Sequence, residues 1–467
     1  MADLVIRGGS LVGADGGRRA DVAITDGVVT AVAERLDVDP GTKILDAGGC
    51  VVSPGLVDLH AHLRQPGGEE AETVESAARA AALGGYTAIV AMPNTDPPID
   101  SAAVVHEVLS LGRGAMADVA VAGAITVGRA GDQLAPMAEM ADAGVRIFTD
   151  DGAGVQDGGL MRRALDYAGG LRARGQKVVL AQHCEDTLLA AGGVMHEGEW
   201  SSRLGLPGIP SAAEEAMVAR DIALVRQTGV PVHFLHLSTA GAVELVRRAK
   251  SEGLAVTAEV APHHLVLTDQ AVAGYDPSYR VNPPLRTFAD VLAVRAGVAD
   301  GTIDAVATDH APHSPEVKDV PFDMAPPGML GLETALAVTL TALTRHRGSG
   351  SAPGGGEMPD APGRLGGTGI VLDAGEGAVL DVGAVLALLT ARPASIAGLG
   401  DCHGGPLVVG AVANICVVDP TATWTVDPTG LASLSRNTPY AGWTLTGRVR
   451  HTVLRGEPVV LDSEAQR

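Results

Sequence analysis

A chain of 467 residues, 46% apolar and 19% charged, excludes a disordered protein and is long enough to bury a large core. Met1 to Asp15 lacks the basic start of a signal peptide, and no apolar run reaches the roughly eighteen residues of a membrane span. The formal net charge of −21 argues against a nucleic-acid partner, because phosphates would be repelled. We therefore expect a cytoplasmic globular protein with one catalytic domain and a smaller companion domain.

The two ends of the chain are expected to form one small β domain. Near the amino terminus, short apolar runs alternate with turns, and Asp26-Gly27 is a strong hairpin signal. This piece is too small to form a stable sandwich by itself, so we expect residues 1–52 and 405–467 to pair into one β-sandwich. The strands predicted for it are Leu4–Arg7, Asp21–Ile24, Val28–Val32, Asn414–Val418, Leu445–Val449 and Thr452–Gly456.

Between the two ends, apolar strands alternate with alanine-rich helices, which is typical of parallel β/α architecture. The strands number eight, as a (β/α)8 barrel requires, and we assign the barrel to residues 53–404. A stretch rich in Gly and Pro, residues 347–377, is predicted to be a flexible surface insertion. The predicted barrel strands are Val51–Leu59, Thr87–Met92, Val119–Ile125, Val145–Thr149, Val178–Gln182, Val232–Leu235, Ala255–Val260 and Ile303–Thr308. The predicted helices include Thr73–Leu83, ended by Gly84-Gly85, and Leu160–Tyr167, ended by Gly169-Gly170.

Polar side chains follow these strands at their carboxyl ends, which form the catalytic face of such a barrel. His60 and His62 end the first strand with an i, i+2 spacing, which points both imidazoles to the same side. Asp151 follows the fourth strand and Asp309 the eighth, although either alone would be read as a turn or helix cap. Further polar residues at strand ends are Arg64, Asn94, Asp150, His183, His236, His263, His264 and His313.

Six of these groups together predict a metal site. A single histidine is usually a hydrogen-bonded polar residue, but four histidines and two aspartates rarely meet at one barrel face by chance. Imidazole and carboxylate ligands in this number suit two divalent ions, with positions left for water and substrate. The six are His60, His62, Asp151, His183, His236 and Asp309.

On these residues the chain resembles the amidohydrolase superfamily and, within it, the bacterial class I dihydroorotases. The resemblance runs over nearly the whole chain. Gln65 departs from the family pattern, because relatives usually carry an acidic residue there, and the insertion at 347–377 is longer than the usual connection. The local matches are Asp58–Arg64, Gly84–Thr87, Met92–Thr95, Thr149–Gly152, His183–Asp186, Val281–Arg286, Asp309–Ser314 and Ser435–Tyr440.

The resemblance implies a reaction, a cofactor and a set of site residues. The reaction is the reversible cyclisation of N-carbamoyl-L-aspartate to L-dihydroorotate in de novo pyrimidine biosynthesis, by a homo-oligomer. The cofactor is a pair of zinc ions bridged by Asp151 and a water or hydroxide. The implied residues are His60, His62 and Asp309 for one zinc, His183 and His236 for the other, and Arg64, Asn94 and His313 for the substrate carboxylate. Asn282 would meet the ring or ureido group, and the loop Val317–Leu330 would close over the site.

The bridge between the metals is expected to be an unmodified carboxylate. Many amidohydrolases use a carboxylated lysine at the end of the fourth strand, but no lysine occurs between Lys43 and Lys177. A carboxylate is already anionic and can bridge two cations directly. The family match places the bridge at Asp151, immediately before a glycine, whereas Asp150 either supports the site or points away.

Several roles stay open between two interpretations. Asp309 is our candidate for moving the proton from the nucleophilic water to the leaving nitrogen, and the alternative is that it is only a ligand. Arg64 offers a carboxylate a planar fork, or else forms a surface salt bridge. Asn94 either contacts substrate or caps the following helix. One of His263 and His264 could orient a metal ligand.

Other functions remain as alternatives. Hydantoinases, dihydropyrimidinases and allantoinases share the fold and much of the metal shell. A non-catalytic dihydroorotase-like partner of aspartate transcarbamoylase is an alternative from another class, and it predicts missing metal residues. None of the six is missing here, while a complex between an active subunit and that transcarbamoylase stays open.

Overall fold

The computed structural model describes residues 2–12, 17–344 and 379–467, so the predicted insertion at 347–377 lies outside the described residues. The strands are β1 (Leu4–Leu11), β2 (Arg18–Thr25), β3 (Val28–Ala33), β4 (Lys43–Asp46), β5 (Val51–Pro54), β6 (Leu56–Ala61), β7 (Tyr86–Ala91), β8 (Asp118–Gly123), β9 (Ile147–Phe148), β10 (Val179–Gln182), β11 (Met195–His196), β12 (Gly208–Ile209), β13 (Val232–Phe234), β14 (Val256–Val260), β15 (Ala305–Val306), β16 (Ile415–Thr425), β17 (Thr444–Leu454), β18 (Glu457–Leu461) and β19 (Glu464–Ala465). The helices are α1 (Val74–Leu83), α2 (Ala102–Leu111), α3 (Met137–Asp142), α4 (Gly158–Ala173), α5 (Glu199–Leu204), α6 (Ser211–Thr228), α7 (Ala240–Ser251), α8 (Phe288–Ala299), α9 (Pro315–Lys318), α10 (Ala335–Leu343), α11 (Val382–Leu389) and α12 (Ala391–Ile396).

Eight parallel strands form a nearly closed barrel. Their hydrogen-bonded order is β6-β7-β8-β9-β10-β13-β14-β15, and a bridge between Ala61 and His310 brings the first and last strands together. The first two strands, β6 and β7, are buried at every position, as expected for strands covered on both faces. The predicted (β/α)8 barrel is confirmed, and all eight strand ends open on the same face. No helix within the described ranges is long and apolar enough to cross a membrane.

Both chain ends contribute to a second sheet of nine strands. Its order is β19-β18-β17-β16-β5-β1-β2-β3, with β4 paired to β1, so strands from the two ends meet where β5 joins β16. Asp26 and Gly27 have positive φ values of 49° and 75° and join β2 to β3, which confirms the predicted hairpin. The two strands predicted at Leu445–Val449 and Thr452–Gly456 are one strand, β17, because the turn falls at Arg455-Gly456.

The first predicted barrel strand is in fact two strands that lie in different sheets. Within the apolar run Val51–Leu59, β5 pairs with β1 and β16 of the terminal sheet, whereas β6 pairs with β7 of the barrel. Gly55 lies between them, and a Cβ on it would lie 2.2 Å from Thr87 Cγ2. The chain therefore passes from one sheet to the other where only a glycine fits against β7.

We expect Gly55→Ala to destabilise the protein by about 1–3 kcal/mol, because the new methyl group must displace Thr87 or the backbone of β6. Differential scanning calorimetry should show a melting temperature several degrees lower. Gly170→Ala is the matched control, since it lies within α4 and its Cβ would meet no atom within 4 Å. An equal loss in both variants would contradict the close approach at Gly55.

The helices agree with the predicted positions but not always with the predicted ends. Helix α1 begins after Thr73, whose side chain accepts from Ser76 N in a capping box. Gln65 Oε1 accepts from Val74 N at 3.0 Å, so the residue that departs from the family pattern helps to begin this helix. Helix α4 continues through the predicted stop at Gly169-Gly170. A Cβ on Gly169 would lie only 3.0 Å from Val230 Cγ2, which explains why a glycine is found there. The glycine there serves close packing and not termination.

Candidate metal centre

The carboxyl ends of the barrel strands bring all six predicted ligands into one buried cluster. The side chains come from β6 and from the loops that follow β6, β9, β10, β13 and β15. Every one of the six residues is at most 6% exposed. The cluster consists of His60, His62, Asp151, His183, His236 and Asp309.

The first half of the cluster lies around the end of β6. His62 Nε2 is 3.3 Å from Asp309 Oδ1, and His60 Nε2 is 3.6 Å from the same oxygen. Asp151 Oδ2 lies 3.4 Å from His60 Nε2 and 3.5 Å from His62 Nε2. Ligand atoms about 2 Å from a shared cation are separated by distances of this order. These four side chains can therefore hold one metal ion.

The second half lies on the opposite side of Asp151. His183 Nδ1 and His236 Nε2 are 3.0 Å apart, and each is 3.4 Å from Asp151 Oδ1. Asp151 thus directs one carboxylate oxygen to each half of the cluster. A carboxylate in this position has the geometry to contact two cations at once.

The hydrogen bonds on the outer side of the imidazoles determine which nitrogens face the cluster. His60 Nδ1 is 2.9 Å from Glu259 Oε1, and a carboxylate at low pKa can only accept, so Nδ1 carries the proton. His62 Nδ1 lies 2.8 Å from Asn94 Oδ1 in the same way. His60 Nε2 is buried and has no hydrogen-bond partner among the described residues. An inward lone pair without a donor is what a metal ligand requires, so the residues fit a bound cation.

The carboxylates of the cluster are held in their anionic form. Burial alone would raise the pKa of Asp151, but the surrounding imidazoles of His60, His183 and His236 hold that pKa well below the usual value. Burial likewise opposes ionisation of Asp309, yet the neighbouring imidazoles, that of His62 first, lower its pKa. In Glu259, hydrogen bonds from two histidines overcome burial and lower the pKa to about 2. Fixed negative charge in a buried site favours divalent cations.

Glu259 is a candidate site residue that the sequence analysis did not identify. It lies in β14 and is fully buried, with Oε1 on His60 Nδ1 and Oε2 3.0 Å from His233 Nε2. The signal for it was present, since Glu259 is the only charged residue in the predicted strand Ala255–Val260. Its partner His60 is 199 residues away in the chain.

Replacing Glu259 with glutamine should weaken metal binding. The neutral amide would be a weaker acceptor for His60 Nδ1–H and would no longer enforce the tautomer of His60, and such partners typically matter about 10–100-fold in metal affinity. The measurement is competitive titration of the apo-protein with zinc and a chromophoric chelator. An unchanged zinc affinity in a folded variant would show that Glu259 serves only packing.

Beside the cluster, Arg64 and His313 form a second group of predicted site residues. Arg64 has a positive φ of 61°, and its Nε donates to Pro312 O at 3.0 Å, which leaves the outer end of the guanidinium beside His313. Arg64 Nη2 lies 3.4 Å from His313 Nε2, and that nitrogen is 2.9 Å from Pro327 O. Since a carbonyl only accepts, His313 Nε2 carries a proton. Burial and the charge of Arg64 lower the pKa of His313 to about 3, so the imidazole is neutral.

The two predicted asparagines contact metal-cluster histidines from opposite sides. Asn94 does not cap a helix, because α2 begins after Ser101 and the Asn94 carbonyl accepts from His62. Asn282 Nδ2 lies 3.5 Å from His183 Nε2. The Asn282 Oδ1 is buried and has no partner in the part of the chain that the structure describes. Each amide therefore lies against one of the clustered histidines, Asn94 against His62 and Asn282 against His183.

Asp150 supports the loop after β8 and takes no part in the cluster. Its Oδ1 accepts from Ile125 N at 2.8 Å and Thr126 N at 3.0 Å, and its Oδ2 accepts from the Thr126 hydroxyl. This loop carries Arg129, whose guanidinium donates to the carbonyl of Asp151. Of the two open interpretations of Asp150, the structure gives the supporting one.

His263 and His264 lie together after β14, with their ring centroids 4.4 Å apart. His264 Nε2 is 3.1 Å from Pro283 O, next to Asn282. Burial lowers the pKa of His264 to about 3. Neither has a described hydrogen bond to a ligand imidazole, and His264 instead fixes the backbone that carries Asn282.

The loop Val317–Leu330 lies against the Arg64 side of the site. Lys318 Nζ donates to Arg280 O at 3.1 Å, Pro326 O at 2.8 Å and Gly328 O at 2.8 Å. Burial lowers the pKa of Lys318 to about 7, while the three carbonyl oxygens accept hydrogen bonds from its Nζ. These hydrogen bonds connect Pro326 and Gly328 of the loop, beside His313, to the backbone of Arg280.

Known proteins are similar to this chain in both architecture and sequence. The family profile described as "Dihydro-orotase-like" matches residues 49–242. Among solved structures, the L-hydantoinase (dihydropyrimidinase) from Arthrobacter aurescens aligns over 100% of this chain and 98% of its own, with a TM-score of 0.83 and 26% identity. A D-hydantoinase from a Thermus species, at 23% identity and a TM-score of 0.76, shares the fold. The fold and the buried histidine–aspartate cluster define a cyclic amidohydrolase.

Curated relatives narrow this class to one family. The dihydroorotase of Pelotomaculum thermopropionicum is 46% identical over 98% of this chain and 99% of its own length. That of Streptomyces coelicolor is 46% identical over 99% and 100%, and that of Mycobacterium leprae is 47% identical over 97% of each. The chain belongs to the dihydroorotase family.

Proposed function

We propose that this protein is a dihydroorotase, which interconverts N-carbamoyl-L-aspartate and L-dihydroorotate in de novo pyrimidine biosynthesis. The observation that carries the proposal is the cationic pocket of Arg64 and His313 beside the histidine–aspartate cluster. Arg64 is half-buried, and its partial desolvation lowers its pKa to about 10, yet it remains a cation at neutral pH. A half-buried guanidinium beside a hydrolytic site suits a substrate that carries its own carboxylate, as dihydroorotate does.

The cofactor that fits the cluster is a pair of zinc ions. His60, His62 and Asp309 would hold one ion and His183 and His236 the other, with Asp151 and a water or hydroxide between them. Bound zinc would lower the pKa of that water and polarise the amide carbonyl. The support for two ions is that each oxygen of Asp151 faces a different pair of imidazole nitrogens.

The protein side chains supply proton transfer and orientation. Asp309 is anionic and its Oδ1 lies within the cluster, so it can accept a proton from the attacking water and return it to the leaving nitrogen. Arg64 and His313 would bind the substrate carboxylate, for which the Nε2–H of His313 would turn from Pro327 O to a carboxylate oxygen. The amide nitrogen of Asn94 would donate to the same carboxylate, and the unpaired Oδ1 of Asn282 would accept from a ring N–H.

The alternatives have less support. A non-catalytic partner of aspartate transcarbamoylase would lack ligands, and all six lie in one cluster here. Hydantoinases, dihydropyrimidinases and allantoinases act on neutral rings, which offer the Arg64 guanidinium no carboxylate to bind. The relatives named dihydroorotase are also far more similar in sequence than the hydantoinases.

The test is an assay of the zinc-loaded protein against dihydroorotate, hydantoin, dihydrouracil and allantoin under the same conditions. We expect dihydroorotate to be hydrolysed with the highest kcat/KM, and N-carbamoyl-L-aspartate to be cyclised more readily at lower pH. Faster turnover of any neutral ring would refute the proposal.

We also propose that the enzyme acts in the cytoplasm as a homo-oligomer. Light scattering on the purified enzyme tests the oligomeric state. Co-purification with the aspartate transcarbamoylase of the same organism, with and without salt, tests whether an active complex with that enzyme forms.

A further inference from the structure

The segment Ser433–Tyr440 matches the family over part of its length, but none of the functions above uses it. It lies between β16 and β17 of the terminal sheet, yet its side chains reach the barrel loops at the metal-binding face. Asn437 in this segment is only 5% exposed. A buried amide outside the metal cluster requires an explanation.

The amide of Asn437 is fully hydrogen-bonded, and its orientation follows from its partners. Its Nδ2 donates to Ala311 O at 3.0 Å and to Gly328 O at 3.1 Å, and its Oδ1 accepts from His313 N at 3.1 Å. Two partners are carbonyls and one is an N–H group, so only one assignment of nitrogen and oxygen satisfies all three. The backbone carbonyl of Asn437 also accepts from Leu330 N at 3.1 Å.

These partners belong to two different loops that meet at the Arg64 pocket. One is the loop after β15, which carries His313, and the other is Val317–Leu330, which carries Pro327 and Gly328. The two loops are in close contact, since a Cβ on Gly328 would lie only 2.8 Å from His313 Nε2. Asn437 therefore sets the distance between the imidazole of His313 and the backbone around Gly328.

The segment is anchored independently of this amide. Leu434 N donates to Glu72 Oε1 at 3.2 Å, and Ser435 Oγ donates to Ala71 O at 2.7 Å. Glu72 is buried and accepts from Ser433 as well. Loss of the Asn437 side chain should thus leave the segment in place and loosen only the two loops.

We propose that Asn437 is a positioning residue for the substrate carboxylate, acting through His313 and the Val317–Leu330 loop. This inference rests on the proposed function, because the carboxylate is that of dihydroorotate. It assigns a role in substrate binding to a residue of the terminal part of the chain, more than one hundred residues beyond His313.

The experiment compares steady-state kinetics of the zinc-loaded wild type, Asn437→Asp and Asn437→Ala with dihydroorotate. Aspartate keeps the acceptor for His313 N but opposes two carbonyls, whereas alanine removes all three bonds without adding charge. We expect KM to rise about tenfold to a hundredfold, the cost of roughly 1 Å of misplacement, while kcat and zinc content change far less. The matched control is Asn414→Asp, a buried amide that donates to Cys402 O at 2.8 Å and accepts from Arg455 N at 2.7 Å.

Each outcome separates the inference from the proposed function. If the wild type does not turn over dihydroorotate, the proposed function fails first. If it does, and both Asn437 variants lose only thermal stability, as Asn414→Asp is expected to, the positioning role is overturned. A KM effect in either folded Asn437 variant, absent from Asn414→Asp, supports it, so the alanine variant keeps the test decisive if aspartate prevents folding.

Discussion

Asp151→Ala is expected to lose bound metal and at least about a thousandfold in kcat/KM, because several kcal/mol of metal-dependent stabilisation would disappear together. Asp151 is the residue whose oxygens face both halves of the cluster, Oδ1 toward His183 and His236 and Oδ2 toward His60 and His62. Alanine leaves each half with fewer ligands and removes a buried negative charge. Metal analysis after dialysis should find fewer than two zinc ions per chain, alongside the loss of turnover.

The matched control is Asp150→Asn, one residue earlier in the same loop. An asparagine can keep the acceptor for Ile125 N and Thr126 N, and its amide can donate to the Thr126 hydroxyl. Metal content and activity should be largely kept. Asp150→Ala would be a poor control, because it leaves buried donors unpaired at about 1–3 kcal/mol each. Full metal content in Asp151→Ala would contradict the bridging role.

The same bridge makes a prediction about carbon dioxide. Because a direct aspartate bridge needs no carboxylated lysine, reconstitution of the apo-protein with zinc should be insensitive to added bicarbonate. The described part of the chain places Asp151, not a lysine, between the two groups of histidines. A strong requirement for bicarbonate would refute the direct bridge.

The clustering of the six predicted ligands could be foreseen from sequence, because barrel topology converts order along the chain into position in space. Each ligand lies at or just after a strand, and parallel strands deliver their carboxyl ends to one face. His60 and His62 needed only the alternation of a strand. The prediction therefore depended on the strands being found, and an error of a few residues at their ends did not matter.

Contacts between distant segments could not be predicted in this way. Glu259 supports His60 across the barrel from β14, and Asp150 fixes the loop after β8, and neither pairing leaves a periodic pattern. The glycines illustrate the same limit, because Gly55 and Gly169 are explained by Thr87 and Val230, which face them only in the fold. Their local signal was that of a strand interior and a helix stop.

Arg64→Met should reduce kcat/KM for dihydroorotate on the order of a hundredfold, since a charge-assisted pair with a carboxylate is worth about 2–3 kcal/mol. Methionine keeps the apolar stem but removes the planar fork. Zinc content should be unchanged, because Arg64 bonds to Pro312 O and approaches His313, and neither is a metal ligand in our proposal. Steady-state kinetics and metal analysis on the same sample measure both effects.

Arg64→Lys distinguishes charge from geometry at this position. Lysine retains the positive charge but cannot form two parallel hydrogen bonds, so its activity should fall between those of the wild type and Arg64→Met. The carboxylate is the part of the substrate that Arg64 would bind, so any slow turnover of dihydrouracil should be affected little by either change. Equal losses for the charged and the neutral ring would mean that Arg64 shapes the loop after β6. A loss of zinc in Arg64→Met would likewise move the residue from substrate binding to support of His62 and its strand.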